Sequence, residues 1–310
     1  MASSKLPIYS ALIANVAIAV TKFIAAAITG SSAMISEGIH SVVDTANELL
    51  LLLGLSKSKK PADKKRPFGY GRELYFWSFI VSILIFGFGG GLALYEGIMH
   101  LQHPNPIEDP KWNYIVLGAS FIFNLISFLI TLKEFNKSKN GDSFWTTIRK
   151  SKDPSNFVIL FEDAGDVLGV LVALAGVYLG NKYHNPYYDG IASIVIGLIL
   201  AVISFALIRQ SHSLLMGESI QESTAKSIRD IAQQDEAVQK IFYPLSVYLA
   251  PHEIVLVLET VFKDDLTTKQ INEAIERIQN RIQKQFPNIK QIFIEPHFAD
   301  SKTFSLQEFI

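Results

Sequence analysis

The stretch EGIHSVVDTANE, Glu37 to Glu48, sets two glutamates, a histidine and an aspartate inside a run that is otherwise apolar from Met34 to Leu55. If that run crosses a bilayer as a helix, an ionisable group near its centre costs about 3 kcal/mol or more unless it is paired, hydrated or bound to something. His40 and Asp44 are four residues apart, which on a helix stacks them on one face with Cβ atoms about 5 to 6 Å apart. One divalent ion is able to touch both.

The rest of the chain supports a membrane setting. Of its 310 residues, 49% are hydrophobic and 18% charged, against roughly 25% charged in soluble domains. Runs long enough to cross about 30 Å of hydrocarbon as helices of about 20 residues extend from Tyr9 to Ile28, Met34 to Leu55, Leu74 to His100, Asn113 to Leu132, Phe157 to Gly180 and Tyr188 to Ile208. After Arg209 the sequence turns charged and mixed. The expected organisation is a six-span transmembrane domain over residues 1–209 and a soluble domain over 210–310, about 100 residues and thus of ordinary domain size.

The net charge of −1 conceals an asymmetry between loops. Lys57, Lys59, Lys60, Lys64, Lys65 and Arg66 lie between the second and third runs, and Lys133, Lys137, Lys139, Arg149, Lys150 and Lys152 between the fourth and fifth. The alternate loops carry only Lys111 and Lys182. Positive loops stay on the cytoplasmic side, so both termini and the soluble domain are expected there, with the cell (inner) membrane as location. The N-terminus lacks the cleavage pattern of a secretory signal and the Arg-rich character of a transit peptide, and is read as the first span. There is no cysteine, which excludes disulfides and thiolate metal sites.

A second acidic set lies in the fifth run, LFEDAGD, where Glu162 and Asp166 repeat the four-residue spacing and Asp163 stands beside them. Two helices giving two ligands each would form a cage of one imidazole nitrogen and three carboxylate oxygens, which zinc accepts as a tetrahedron. Without an ion these carboxylates lack a matching cation. Lys22, the one basic residue at comparable depth, is expected to snorkel toward an interface. Glu37 and Glu48 extend the His40 face by a turn in each direction, as relay or entrance groups or as solvated helix-end carboxylates. Asn47 and Asn124 are expected to bond between helices. Asp189 is expected to cap the sixth span, and His100, His103 and His184 to be solvated on the outer side. Small residues at four-residue spacing, Gly87 with Gly91, Gly165 with Gly169 and Gly176 with Gly180, suit close helix packing.

The C-terminal part reads αββαβ: a helix from Gln221 to Gln234, β-rich runs from Ile241 to Leu249 and Glu253 to Phe262, a helix after the capping box begun by Thr267 and Gln270, and a strand from Lys290 to Phe298. That order suits a small α+β sandwich with helices on one face of a sheet.

These residues carry a resemblance. HSVVD in the second span, a basic loop leading into RPFGYGRE, EDAGD in the fifth span and YYDG opening the sixth, together with six spans and a cytoplasmic αββαβ domain, make the chain similar to the cation diffusion facilitator family of divalent metal transporters over nearly its whole length. The ED pattern with RPFGYGRE resembles the branch that includes the ninth human zinc transporter. The resemblance implies a ferredoxin-like cytoplasmic domain, a homodimer, and a transport site that falls on His40, Asp44, Glu162 and Asp166.

Many zinc-transporting members carry histidine where this chain has Glu162. A carboxylate there hardens the site, admitting iron(II), manganese(II) or cobalt(II), while His40 keeps zinc first. Secondary metal candidates are Asp163, Glu37 and, on the last strand, Glu295 and His297, with His252 in the preceding turn. Other family histidine positions hold apolar residues such as Val257, so packing and dimerisation are the expected roles of this domain.

The expected function is export of a divalent metal cation in exchange for protons. His40 titrates near neutral pH, and an emptied carboxylate cluster takes up protons. The partners are then metal ion, protons, the lipid bilayer and a second copy of the chain, with no nucleic acid and no cofactor, the metal being substrate. A metal-binding membrane sensor without transport is the rival reading. A hydrolase is disfavoured, because no HExxH or nucleophile motif occurs and four protein ligands leave no open metal position.

Overall fold

The computed structural model describes residues 6–104, 110–137, 139, 141 and 143–297. It divides into two compact units, one of Met1–Lys57 with Glu73–His212 and the other of Ser58–Arg72 with Ser213–Ile310.

The first unit is helical. Its long elements are α1 (Leu6–Thr29), α2 (Ser32–Ser58), α3 (Glu73–Leu84) running through a π-helical segment, Ile85–Gly90, into α4 (Gly91–Gln102), α5 (Pro110–Lys137), α7 (Pro154–Tyr183) and α8 (Tyr187–Met216), with the short α6 (Phe144–Lys150) before α7. Among the described residues, Glu73–Gln102, Pro110–Lys137 and Tyr187–Met216 are long and apolar enough to cross a membrane. The surface matches that setting: Ile115, Ile122, Phe123 and Ile130 of α5 and Val202 and Phe205 of α8 are all exposed. The core that ties the helices is made largely of small side chains, Ala25, Ala26, Ala33, Ala93, Ala173 and Ala192, filled in by Met34, Leu117, Val170, Ile196 and Leu200.

Small residues do bring helices together, at Gly165, Gly169 and Gly176 as the spacing suggested and at further positions besides. Gly97 meets Gly190 and Gly90 meets Gly197, so that a Cβ at Gly97 would stand 2.8 Å from the Gly190 carbonyl oxygen and one at Gly90 3.2 Å from that of Gly197. The backbones of the α3–α4 span and α8 therefore touch directly. Gly87 faces open space, whereas Gly176 does pack on α8, against Ala192. The π-helical segment falls on IFGFGG, where successive glycines weaken the α-helical ladder.

In the second unit, the loop that precedes α3 is an ordered turn. Asp63 accepts from the amides of Lys65 and Arg66 and from the Tyr70 hydroxyl at 2.6 Å, and Arg66 lies over the Tyr70 ring. The Tyr70 bond, followed by the Arg66 amide, holds the Asp63 carboxyl below its usual range.

The remainder of this unit comprises α9 (Glu222–Gln233), β1 (Val238–Ile241), β2 (Leu245–Ala250), β3 (Glu253–Phe262), α10 (Thr268–Gln285) and β4 (Ile289–His297). One strand was expected from Ile241 to Leu249. Instead β1 and β2 follow each other along one edge of β3, Ile241 opposite Thr260 and Leu245 opposite Val257, interrupted near Pro244, which has no N–H to give the ladder. β4 pairs in parallel with the other edge. Its expected last residue, Phe298, lies outside the described residues.

Ala225, Ile228 and Ala232 of α9 and Ala274, Ile278 and Ile282 of α10 pack on Leu256, Leu258, Phe262, Ile289 and Ile292. Both helices thus cover one sheet face, as their apolar stripes require. Thr267 and Gln270 form the capping box of α10, and Asp235 is held by Arg277 at 2.9 and 3.1 Å.

Candidate metal centre

α2 and α7 each present a face with acidic groups one turn apart, and the fold brings those faces together at one residue. His40 Nε2 lies 2.9 Å from Asp166 Oδ1 and its Nδ1 3.2 Å from Asp44 Oδ1. His40 is 2% exposed. One ligand atom from each of the three residues falls within 4.8 Å of the others. Neither ring nitrogen, nor Asp44 Oδ1, makes a well-formed hydrogen bond, so buried donor atoms converge without satisfying one another. Such a set is suited to a cation.

Glu162 stands outside that group. Its Oε1 accepts from Asn47 Nδ2 at 2.7 Å, a bond that joins α7 to α2 and realises the helix-to-helix role expected of Asn47. Asp163 turns toward α5, accepting from Ser127 Oγ and Thr131 Oγ1 at 3.1 and 2.6 Å. Glu48 accepts from Asn15 of α1.

Lys22 does not snorkel. It is 2% exposed, and its ammonium donates to Glu37 Oε2 at 3.0 Å and Ser41 Oγ at 2.8 Å. Glu37 is fully buried, neither a solvated helix end nor in the group with His40. It fits because α7 offers Gly169, where a Cβ would stand 2.5 Å from Glu37 Oε1. Pairing keeps both buried charges compensated, and among the described residues Lys22 is the cation paired with Glu37.

At the N-terminus of α2, Asp189 caps a helix other than its own. Its carboxylate accepts from Ser31 Oγ and from the backbone amides of Ser32 and Ala33, as well as Ser32 Oγ. Those amides are orphans of the first turn of α2. The signal visible in the sequence, Ser31–Ser32 at the start of α2, names cap-type residues but not a partner on α8. His100, expected in solvent, is buried on α4 with Nε2 4.0 Å from Asp189 Oδ2, a carboxylate partner that offsets the loss of water. His103 and His184 are exposed as expected.

On β4, His297 Nε2 lies 4.0 Å from Glu295 Oε1, and His252 is exposed in the β2–β3 turn. Among the described residues these do not join a group of three metal-ligating side chains.

The family model described as the cation efflux transmembrane domain matches residues 8–216. The chain belongs to the cation efflux family. It is 38% identical over 222 residues to the mitochondrial proton-coupled zinc antiporter SLC30A9 of Homo sapiens, a match covering 71% of the chain and 39% of that relative. It thus spans well under half the length of that curated relative. It is 25% identical over 299 residues to the manganese efflux system protein MneP of Bacillus subtilis (strain 168), covering 94% of the chain and 95% of MneP. Among solved structures, the copper form of the MamM CTD matches 27% of the chain and 92% of its own length, at 14% identity and a TM-score of 0.24. The family and the apolar helices make this an integral membrane protein.

Proposed function

We propose that this cation efflux protein exports a divalent metal cation, zinc first, in exchange for protons, by alternating access to a site formed by His40, Asp44, Asp166 and Glu162. The observation that carries this reading is the convergence of His40, Asp44 and Asp166, with ligand atoms within 4.8 Å of one another and lone pairs unsatisfied by hydrogen bonds. Glu162 completes the set when its carboxylate leaves Asn47. The imidazole of His40 favours zinc, and the carboxylate majority leaves manganese(II), iron(II) and cobalt(II) as competitors. The zinc antiporter and manganese efflux relatives bracket that range.

Proton exchange follows from the ligands themselves. Metal and protons compete for the same lone pairs on His40 and the aspartates, so filling the site with one empties it of the other. On this reading the protein is a secondary transporter rather than an enzyme, as its transporter relatives support. On this reading both termini and the C-terminal unit are cytoplasmic and the location is the cell (inner) membrane, an orientation supported by the basic loops through the positive-inside rule. The functional unit is a homodimer, with the helical part as its transmembrane domain and the small α+β part as its cytoplasmic domain.

Proteoliposomes loaded at acidic internal pH test the reading. Zinc uptake that grows with the proton gradient, and a competition series in which manganese(II), iron(II) and cobalt(II) displace zinc less effectively than zinc itself, are the expected results. Zinc binding without uptake would instead indicate a sensor.

A further inference from the structure

The Lys22–Glu37 pair has no place in the metal-ligand set, yet it lies against it. Lys22 Nζ reaches Ser41 Oγ at 2.8 Å, and Ser41 directly follows His40 and precedes Asp44 by three residues on the same helix. Glu37 lies on the other side of His40, three residues earlier, with Oε2 on the ammonium at 3.0 Å and Oε1 directed at Gly169. Both partners are sealed from solvent at 2% and 0% exposure. The ammonium therefore sits on the part of α2 that carries the metal ligands, bonded to Ser41, the neighbour of His40 in the chain.

We infer that Lys22 is a fixed internal cation that weakens the grip of the His40–Asp44–Asp166 site on its metal, keeping the ion releasable, and that Glu37 holds the ammonium in place. This rests on the metal-transport reading above. A positive charge buried close to a dication is poorly screened, so a site whose carboxylates would otherwise bind too tightly to release the ion is tempered by it. Glu37 offsets the burial of the ammonium, which would be prohibitive alone, and fixes its position.

The test measures zinc affinity of the purified full-length protein by competition with a chromophoric chelator, alongside zinc flux in proteoliposomes. Lys22→Met and the double variant Lys22→Met/Glu37→Gln are expected to bind zinc roughly tenfold or more tightly, with a lower KM and a lower maximal rate, because release slows. Lys22→Arg, which keeps the charge, should stay near wild type, and Glu37→Gln, which leaves the ammonium uncompensated, should bind more weakly. The double variant guards against misfolding, since removing both members of a buried pair leaves no orphaned charge.

Were Lys22 merely a structural tie between α1 and α2, every variant lacking it would bind zinc more weakly or unchanged. That outcome overturns the inference. A wild-type protein that binds no zinc would instead overturn the metal-transport reading itself.

Discussion

His40 Nε2 stands 2.9 Å from Asp166 Oδ1, so the α2 and α7 halves of the candidate site meet at a single imidazole whose other nitrogen faces Asp44. Removing either carboxylate leaves the proposed four-residue site one ligand short of a closed coordination shell. Asp44→Ala and Asp166→Ala are each expected to reduce proton-driven zinc uptake to background while the protein still inserts and dimerises. Flux in proteoliposomes, normalised to reconstituted protein, is the measurement.

Glu162→His is expected to shift selectivity toward zinc and away from manganese(II) and iron(II), because an imidazole replaces a hard oxygen donor. Asn47 remains able to bond across the α2–α7 contact through its amide. The check is a competition series in vesicles; an unchanged order of metals would remove Glu162 from the ligand set.

Asp189→Ala strips the acceptor from Ser31 Oγ and from the Ser32 and Ala33 amides in a fully buried setting. Each buried group left without a partner costs about 1–3 kcal/mol, so the thermal midpoint in detergent should fall clearly. Asp189→Asn retains one acceptor oxygen and should fall less. Equal midpoints for wild type and Asp189→Ala would show that the cap contributes nothing.

Asp235 supplies a pH dependence outside the membrane. The bidentate bond from Arg277 holds its carboxyl below the usual range. A group whose pKa is lowered on folding stabilises the fold above its unfolded value, about 3.9 for aspartate, and that stabilisation is lost as pH falls through the folded value. Asp235→Asn should therefore melt below wild type at pH 7, and the gap should close on acidification below about pH 4. Thermal melts of the full chain at stepped pH read this directly, and a gap that widens in acid would contradict it.

The membrane setting and the acidic faces of α2 and α7 were legible in the sequence because they depend on composition and on spacing within single helices, and the family was legible through the resemblance carried by HSVVD, RPFGYGRE, EDAGD and YYDG. His40 with Asp44 and Glu162 with Asp166 lie four residues apart, so local helical geometry alone sets each pair on one face. The capping box of α10 was legible for the same reason, its two partners being three residues apart.

Tertiary structure decided what those faces meet. Asp189 caps a helix whose first residue lies 157 positions earlier, and Asn47 bonds Glu162 across 115 positions. The burial of Lys22 against Glu37 depends on Gly169 of a third helix leaving room for a carboxylate. A buried polar group must find a partner or incur its desolvation cost, but the sequence only states that the need exists. Which groups lie within hydrogen-bond reach is fixed by how the helices pack, and that selected His40, Asp44 and Asp166 as the converging set and placed the Lys22 ammonium beside it.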